Sequence, residues 1–466
     1  MATLTLRADG SSHFADGKRW GWFPSVSAGW VVTNENFMSG AKDFMDFFKI
    51  RASWGQNGNC NVEKYQYISP IIMSSVGGYK FGSDLATTVA GTPNPGAYPK
   101  NVPNPELTWE TSEQLDLGFD ARFFDSRLGV NFDWYNKTTK DLIILQDPQY
   151  DQGKEPPYFN GSDIRNTGIE LAVSWNDKIG KDFGYNFGVN FATNKNEVIR
   201  VNNLNHYVNG NGGILSQGTE YISRFEEGHP IGYFYGMSYS GIWQNQAQID
   251  AARAAGKAVL DNAMPGDCIW DDWNNDGLIT YAEAIDANGN DICDRHEIGD
   301  PNPDITLGIN LGLTWKGLDF AVNGAGAFGM QVMRSYRSYG DTPYQNYDTT
   351  ILNRWFGEGT SNDQPRISAT GHQNTIWNSI RYMEDADYFK IKNVTLGYDF
   401  KHLWKSCPFQ QLRFYVQAQN LCTFTGYTGL DPEVGSAGGD VPWASGVDLG
   451  LYPPSRTYLV GTSIKF

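Results

Sequence analysis

The 466-residue sequence predicts an all-β fold, an antiparallel transmembrane β-barrel of which this chain supplies about 12 to 14 strands. Three observations carry that expectation. Apolar residues recur at every second position, in segments of about ten residues. The connections between those segments alternate between short and long. The final segment, YLVGTSIKF, alternates as well and closes on the aromatic Phe466.

The alternation can be followed along the chain. In QLDLGFDARFF, Leu115, Leu117, Phe119, Ala121 and Phe123 share one face, and Gln114, Asp116, Asp120 and Arg122 share the other. RLGVNFDWYNK resumes the pattern, with Leu128, Val130, Phe132 and Trp134 set against Asn131, Asp133 and Tyr135. TGIELAVSW, GYNFGVNFA, ITLGINLGLTW, LDFAVNGAGAF and LRFYVQAQN repeat it. A β-sandwich alternates too, but its strands are shorter, about five or six residues. Short turns join 114–124 to 128–137, 167–176 to 184–192 and 305–315 to 318–328. Long excursions occupy 57–108, 138–166, 193–304, 329–387 and 420–455. A barrel with short turns at one rim and long loops at the other sorts its connections in this way. The pattern gives about twelve strands, or about fourteen if GYFYGMSYSGIWQ adds a pair. In DYFKIKNVTLGYDF the apolar parity switches between Ile391 and Val394, which predicts a β-bulge near Lys392 and Asn393. Trp20, Trp22, Phe23 and Trp30 are candidates for an interfacial aromatic girdle, with ordinary packing as the competing reading. Arg413, Tyr415, Gln417 and Gln419, with Gln114, Asp116, Asp120 and Arg122, are candidates for a wet inner face.

Composition narrows the function classes. Net charge is −16, a poor match to phosphate backbones, so no nucleic acid is expected as a partner. Mean hydropathy is −0.46, and no run of about 18 apolar residues forms a spanning helix. Alternating strands are not excluded by that. Aromatic residues make up 14% of the chain and Gly contributes 52 residues, which suits a membrane barrel and also a soluble β-protein. Cys60, Cys268, Cys293, Cys407 and Cys422 are odd in number and lack CxxC spacing, so neither a disulfide framework nor a zinc site is expected. Met1 is followed by ATLTLRADG, which is no signal peptide, and a piece of something longer is expected.

One stretch carries metal chemistry. DDWNNDGLITYAE matches a calcium loop from Asp272 to Glu283. Asp272, Asn274 and Asp276 offer side-chain oxygens, Gly277 permits the sharp turn, and Leu278 offers its carbonyl. Thr280 sits where a water often intervenes, and Glu283 can bind through both oxygens. A weaker repeat follows with Asp286, Asn288, Asn290, Asp294 and Glu297, where Asp291 replaces the glycine. An Asx-rich loop bonded to its own backbone is the plainer alternative. The whole stretch, residues 264–304, is expected to be a long extracellular loop. Asp431 and Glu433 in LDPEV are two residues apart, with Trp443 nearby, but two carboxyls flanking a substrate cannot be read from spacing. The six histidines are scattered, there is no Walker A or nucleophile elbow, and no enzyme is expected.

Several stretches resemble the SusC/RagA branch of TonB-dependent outer-membrane transporters. They include RADGSSHFADGKRWGWFPSVSAGW, IRASWGQNGN, NPELTWETSEQLDLGFD, EGHPIGYFYGMSYSGIW, IGDPNPDITLGINLGLTWKGLDF, DYFKIKNVTLGYDF and YPPSRTYLVGTSIKF. They occur in family order across almost the whole chain and match the C-terminal part of such a transporter. The resemblance implies TonB-dependent import of a large nutrient, an oligosaccharide or a peptide, in the outer membrane. It implies a SusD-like surface lipoprotein as partner and a TonB complex acting through a plug that is not in this chain. A barrel of this type has about 22 strands, so an N-terminal barrel and plug portion is expected from another chain, or the sequence is truncated. Tyr458, Val460, Ile464 and Phe466 would face lipid and carry the outer-membrane assembly signal. The rival reading is a soluble, secreted carbohydrate-binding β-protein with a calcium-pinned loop, and an inactive barrel fragment is a third.

Overall fold

The computed structural model describes residues 1–73, 80–81, 94–95, 97–146, 154–203, 205–210, 221–285, 292–335, 347, 349–368, 371–435 and 445–466. Thirteen strands share one antiparallel sheet. They are β1 (Ala2–Gly10), β2 (Trp20–Val31), β3 (Met45–Asn59), β4 (Glu110–Phe123), β5 (Leu128–Leu145), β6 (Tyr158–Ile179) and β7 (Phe183–Thr193). They continue as β8 (Lys195–Val201), β9 (Ile305–Trp315), β10 (Leu318–Phe328), β11 (Tyr388–Asp399), β12 (Gln411–Thr425) and β13 (Thr457–Lys465). Twelve follow one another in chain order, with β1 and β13 at the two edges, and β8 branches off to pair with the far end of β6.

Register explains why period-two sequence becomes a two-faced wall. Trp30, Ile50, Phe119, Phe132, Leu171, Phe191 and Leu307 form one unbroken cross-strand row from β2 to β9. The row continues through Gly326, Phe389 and Phe424. One residue over, the row from β3 to β12 reads Arg51, Gly118, Asp133, Glu170, Ala192, Thr306, Ala327, Tyr388 and Thr425. A one-residue slip would exchange the two faces, so the pattern pins the pairing. The apolar face has nothing over it: Trp30 is 50% exposed and Val460 is 84% exposed.

Three expectations change. The excursion 138–166 is mostly strand, because β5 and β6 stay paired out to Leu145 and Tyr158. There, polar residues occupy both faces and the alternation vanishes. GYFYGMSYSGIWQ does not add to the wall: Tyr233–Gly236 and Tyr239–Ile242 belong to two small sheets in the loops, and Phe234 and Ile242 are fully buried. Phe23 is no girdle residue. Its odd position turns it to the polar face, where it is buried with Phe14, Leu107 and Trp109, whereas Trp20 and Trp22 lie exposed on the other. The bulge lies where the parity switch puts it: against β10, Ile391 and Asn393 pair with adjacent residues and leave Lys392 extra, while on the other side Asn420 and Leu421 of β12 oppose Lys392.

The long connections at one end fold together. The segment between β8 and β9 forms a four-stranded sheet in the order Tyr207–Asn209, Ser223–Glu226, Tyr233–Gly236, His296–Gly299. It also holds the only α-helix longer than one turn among the described residues, α1 (Gln246–Ala254), whose first turn is capped by the Asn245 side chain. Gln331–Arg334 pairs with Met383–Asp385 from its own connection and with Val447–Asp448 from the last, so two of the three long connections share one sheet. Ile222, Phe234, Met333, Tyr382 and Val447 form one core drawn from all three connections. We call this unit the cap and the thirteen-stranded sheet the wall.

Candidate functional site

Two places can do chemistry: the polar face of the wall and an arginine cluster in the cap. The polar face is itself divided. On β3 to β6 it carries Lys49, Arg51, Asp116, Asp120, Arg122, Asp133 and Glu170. Three of them close into one ion-pair cluster. Arg51 meets Asp120 at 3.0 Å and Asp133 at 2.9 Å. The second contact passes over Gly118, where an added Cβ would lie 2.1 Å from Asp133 Oδ1. The same device recurs further on: Arg413 reaches Asp319 at 2.7 Å across Gly397. Charge-assisted contacts of this kind, bidentate in the Arg413–Asp319 pair, hold neighbouring strands in one geometry.

On β7, β9 and β10 the polar face is built differently. β7 presents Gly184, Asn186, Gly188, Asn190 and Ala192. β9 presents Thr306, Gly308, Asn310, Gly312 and Thr314, and β10 presents Asp319, Ala321, Asn323, Ala325 and Ala327. Asp319, the one charged residue of this set, is the partner of Arg413. Two open hollows, of about 630 and 660 Å³, lie over these strands.

In the cap, Arg224 and Arg295 are buried, each 5% exposed. Arg224 lies 4.0 Å over the Tyr207 ring and 3.5 Å over the Tyr235 ring. Arg295 stands 4.8 Å over Tyr235 and 4.7 Å over Tyr281. Both guanidinium groups meet the carboxylate of Glu283, at 3.1 Å for Arg295. Burial presses the Arg224 guanidinium toward losing its proton, but Tyr235, Glu283 and Glu226 outweigh that and hold its pKa above the usual value. Cation–π stacking plus a shared carboxylate is a stable way to bury two positive charges.

The calcium-type turn sits beside this cluster. Asp272 accepts the backbone N–H groups of Asp276 and Gly277, at 3.1 and 2.9 Å. Asn274 accepts from Asp276 N–H, Asp276 accepts from Leu278 N–H, and Gly277 takes φ +85°. Asp272, Asn274 and Asp276 are therefore gathered as the spacing predicts. Glu283 is engaged by the two arginines and by Tyr207 Oη. Thr280 donates its N–H to Asp294 at 2.7 Å. Asp294, read from sequence as part of a second loop, is instead the anchor of the first: fully buried, it also accepts Trp273 N–H at 2.9 Å. Burial pushes its carboxyl above the usual range, against the pull of those N–H donors. Glu297 pairs with His229 at 2.6 Å, while Asp286, Asn288, Asn290 and Asp291 lie outside the described residues. Among the described residues, no group of three His, Cys, Asp or Glu side chains is arranged to hold a metal ion.

The remaining sequence candidates are placed plainly. Asp431 and Glu433 both bind the buried Lys390 ammonium, at 2.6 and 2.9 Å, and Glu433 also meets Lys392 at 2.8 Å. They tie a loop to β11. Trp443 lies outside the described residues. Tyr458, Val460 and Ile464 share the exposed apolar face of β13, and Phe466 packs edge-on against Phe409 at 5.3 Å. None of the five cysteines forms a disulfide. Sequence reasoning missed the Arg224–Glu283–Arg295 cluster, whose members lie far apart in the chain and show no local spacing. It also missed the amide-and-glycine strands, although GVNFA, GINLG and VNGAGA repeat the same small polar composition.

The family profile described as "TonB dependent receptor-like, beta-barrel" matches residues 1–421. TonB-dependent receptor P3 of Formosa agariphila is 31% identical over 471 residues, covering all of this chain and 44% of the relative. TonB-dependent receptor SusC of Bacteroides thetaiotaomicron is 26% identical over 475 residues, covering all of this chain and 42% of the relative. The chain thus spans less than half the length of these relatives. Among solved structures, the RagAB peptide transporter superposes with a TM-score of 0.77 at 23% identity, over all of this chain and 46% of that one.

Proposed function

Because this chain belongs to the TonB-dependent receptor-like β-barrel family, we propose that it forms about half of the barrel of an outer-membrane importer for a large nutrient, a glycan or a peptide. Its homologues are receptors and not enzymes. It resides in the outer membrane, with Trp30, Ile50, Phe119 and the rest of that row facing lipid and the Asp133 row facing the lumen. The observation that carries the reading is this pair of adjacent rows, one apolar and one polar, running without a break across the wall. The unpaired edges of β1 and β13 support a larger assembly, since open edges in lipid each cost several kcal/mol, about 2 or more per group. In this reading the cap faces the outside, a SusD-like lipoprotein covers it, and TonB acts through a plug.

The test is purification from native outer membranes in mild detergent, with mass spectrometry of what comes along. Recovery in the membrane fraction with a plug-bearing partner and a surface lipoprotein is the expected result. Recovery alone in the soluble fraction overturns it in favour of a secreted binding protein.

Calcium at the Asp272–Glu283 turn belongs to the same proposal. Asp272, Asn274, Asp276, the Leu278 carbonyl and Thr280 offer a hard oxygen set of the kind calcium takes. Glu283 completes it only by leaving Arg224 and Arg295. Terbium luminescence sensitised by Trp273 tests this: a signal displaced by calcium supports the site, and none leaves a self-bonded Asx turn.

A further inference from the structure

The divided polar face points to where cargo runs. Asn186, Asn190 and Asn310 are exposed, and among the described residues none of these side-chain amides bonds to another group of the protein. Each faces a glycine on the next strand. An added Cβ on Gly312 would lie 2.3 Å from Asn186 Oδ1, and those on Gly308 and Gly188 would lie 3.7 Å from Asn190 Nδ2 and 3.8 Å from Asn310 Nδ2. The amides therefore lie down over bare backbone, and no side chain on this strip is longer than Asn or Asp. The strip runs without interruption. Gly184, Thr314 and Asp319 form the row at the short-turn end, and Ala192, Thr306 and Ala327 form the row at the cap end. The two hollows lie over the two ends of these strands, and the one at the cap end also reaches Asp133, Glu170, Lys392 and Glu433.

Such a strip has one chemical character. Free amides donate and accept, so they bind hydroxyls and peptide groups alike, each bond contributing about 0.5 to 1.5 kcal/mol net. Movement along a wall needs many weak sites and not one strong one. The charged half of the face offers the opposite: fixed charges, with Arg51, Asp120 and Asp133 closed into one tight ion-pair cluster.

We propose that the cargo path runs along β7, β9 and β10, and that it carries an extended chain of uncharged hydrogen-bonding units past Asn186, Asn310, Asn323 and Asn190. This rests on the import reading above. Glycan hydroxyls and peptide main-chain amides share that chemistry, and the test separates them.

Single cysteines are placed on the strip (Asn190→Cys, Ala325→Cys) and on the charged half (Ser53→Cys, Gln114→Cys) of the full native complex in outer-membrane vesicles. Each is treated with N-ethylmaleimide and with a long polyethylene-glycol maleimide, against the unmutated background. The expected result is that strip cysteines take the long reagent about tenfold faster than Ser53→Cys and Gln114→Cys, while all four take the small one. Equal or reversed rates with the long reagent overturn the path and leave the import reading standing. No labelling by either reagent at any site strikes the aqueous lumen, and with it the import reading. In a second arm, a neutral oligosaccharide mixture or a neutral oligopeptide mixture is added before the small reagent. Several-fold protection of Asn190→Cys by one of them identifies the source, and protection by neither overturns the assigned cargo chemistry.

Discussion

The wall and the cap use the same residue types in opposite ways. Phe119 is one of a row of apolar side chains with no protein over it, and Val460 at the edge is 84% exposed. Phe234 in the cap is 0% exposed and belongs to a core built from three connections. Away from its cap end, where Ile144, Ile164, Val198 and Val201 are buried together, the wall has almost no core of its own. Lipid supplies the apolar environment, and backbone pairing supplies the specificity. The cap is ordered as a water-soluble domain is, by burying its hydrophobic groups against one another. A single chain is thus stabilised by two solvents, and a substitution's effect depends on which of them it meets.

The sharpest way to break the comparison is in the cap core. Phe234→Ala is expected to cost about 3 to 5 kcal/mol locally. Amide hydrogen exchange should accelerate in Gln331–Arg334 and Met383–Asp385 while β4 and β5 keep their protection. If the wall strands lose protection equally, the two regions are one cooperative unit. Next comes the wall's outer face. Phe119→Arg should cost about 2 to 4 kcal/mol for folding into bilayers, whereas Thr306→Arg on the inner face should stay within about 0.5. Urea titration in liposomes reads both. A Gly118→Val variant sharpens the inner face: its side chain displaces Asp133 from Arg51, and a loss of about 1 to 3 kcal/mol is expected in the same titration.

Acid separates the regions more gently. Burial raises the Glu384 pKa, but the Thr428 hydrogen bonds and Arg334 outweigh it and hold the carboxyl below the usual range. Its stabilising contribution is present above the unfolded value of about 4.3 and is lost as pH falls through the depressed folded value. Cap protection should therefore fall in that acid window, and Glu384→Gln should flatten the acid limb without changing wall exchange. The smallest effect is expected from the exposed Lys140–Glu113 pair at 2.6 Å, where Lys140→Ala should change the midpoint by no more than about 1 kcal/mol.

Legibility in the sequence follows the same division. The wall could be read because its burial is set by parity alone: Leu115, Leu117 and Phe119 must share a face wherever the strand goes. Even the bulge at Lys392 left a local trace. Phe23 was misplaced where an aromatic cluster outvoted its own odd position. Where β6 leaves the apolar zone, SDIRN carries no alternation, and the strand was lost to view. The cap could not be read, since Ile222, Met333, Tyr382 and Val447 meet only after three connections have folded over one another. The DxNxDG turn was legible because its hydrogen bonds are local. The diversion of Glu283 to Arg224 was not, because that contact joins residues 59 apart in sequence.

The shared core also sets a timetable. Ile222 belongs to the first of the three connections and Val447 to the last, and both are fully buried in the one core. Loop closure over so long a span is entropically late, and nothing local in either segment rewards it earlier. Strands can pair one after another as each hairpin forms. The cap core then closes late, and because Val447 follows β12 in the chain, its closure reports that β11 and β12 have already been made.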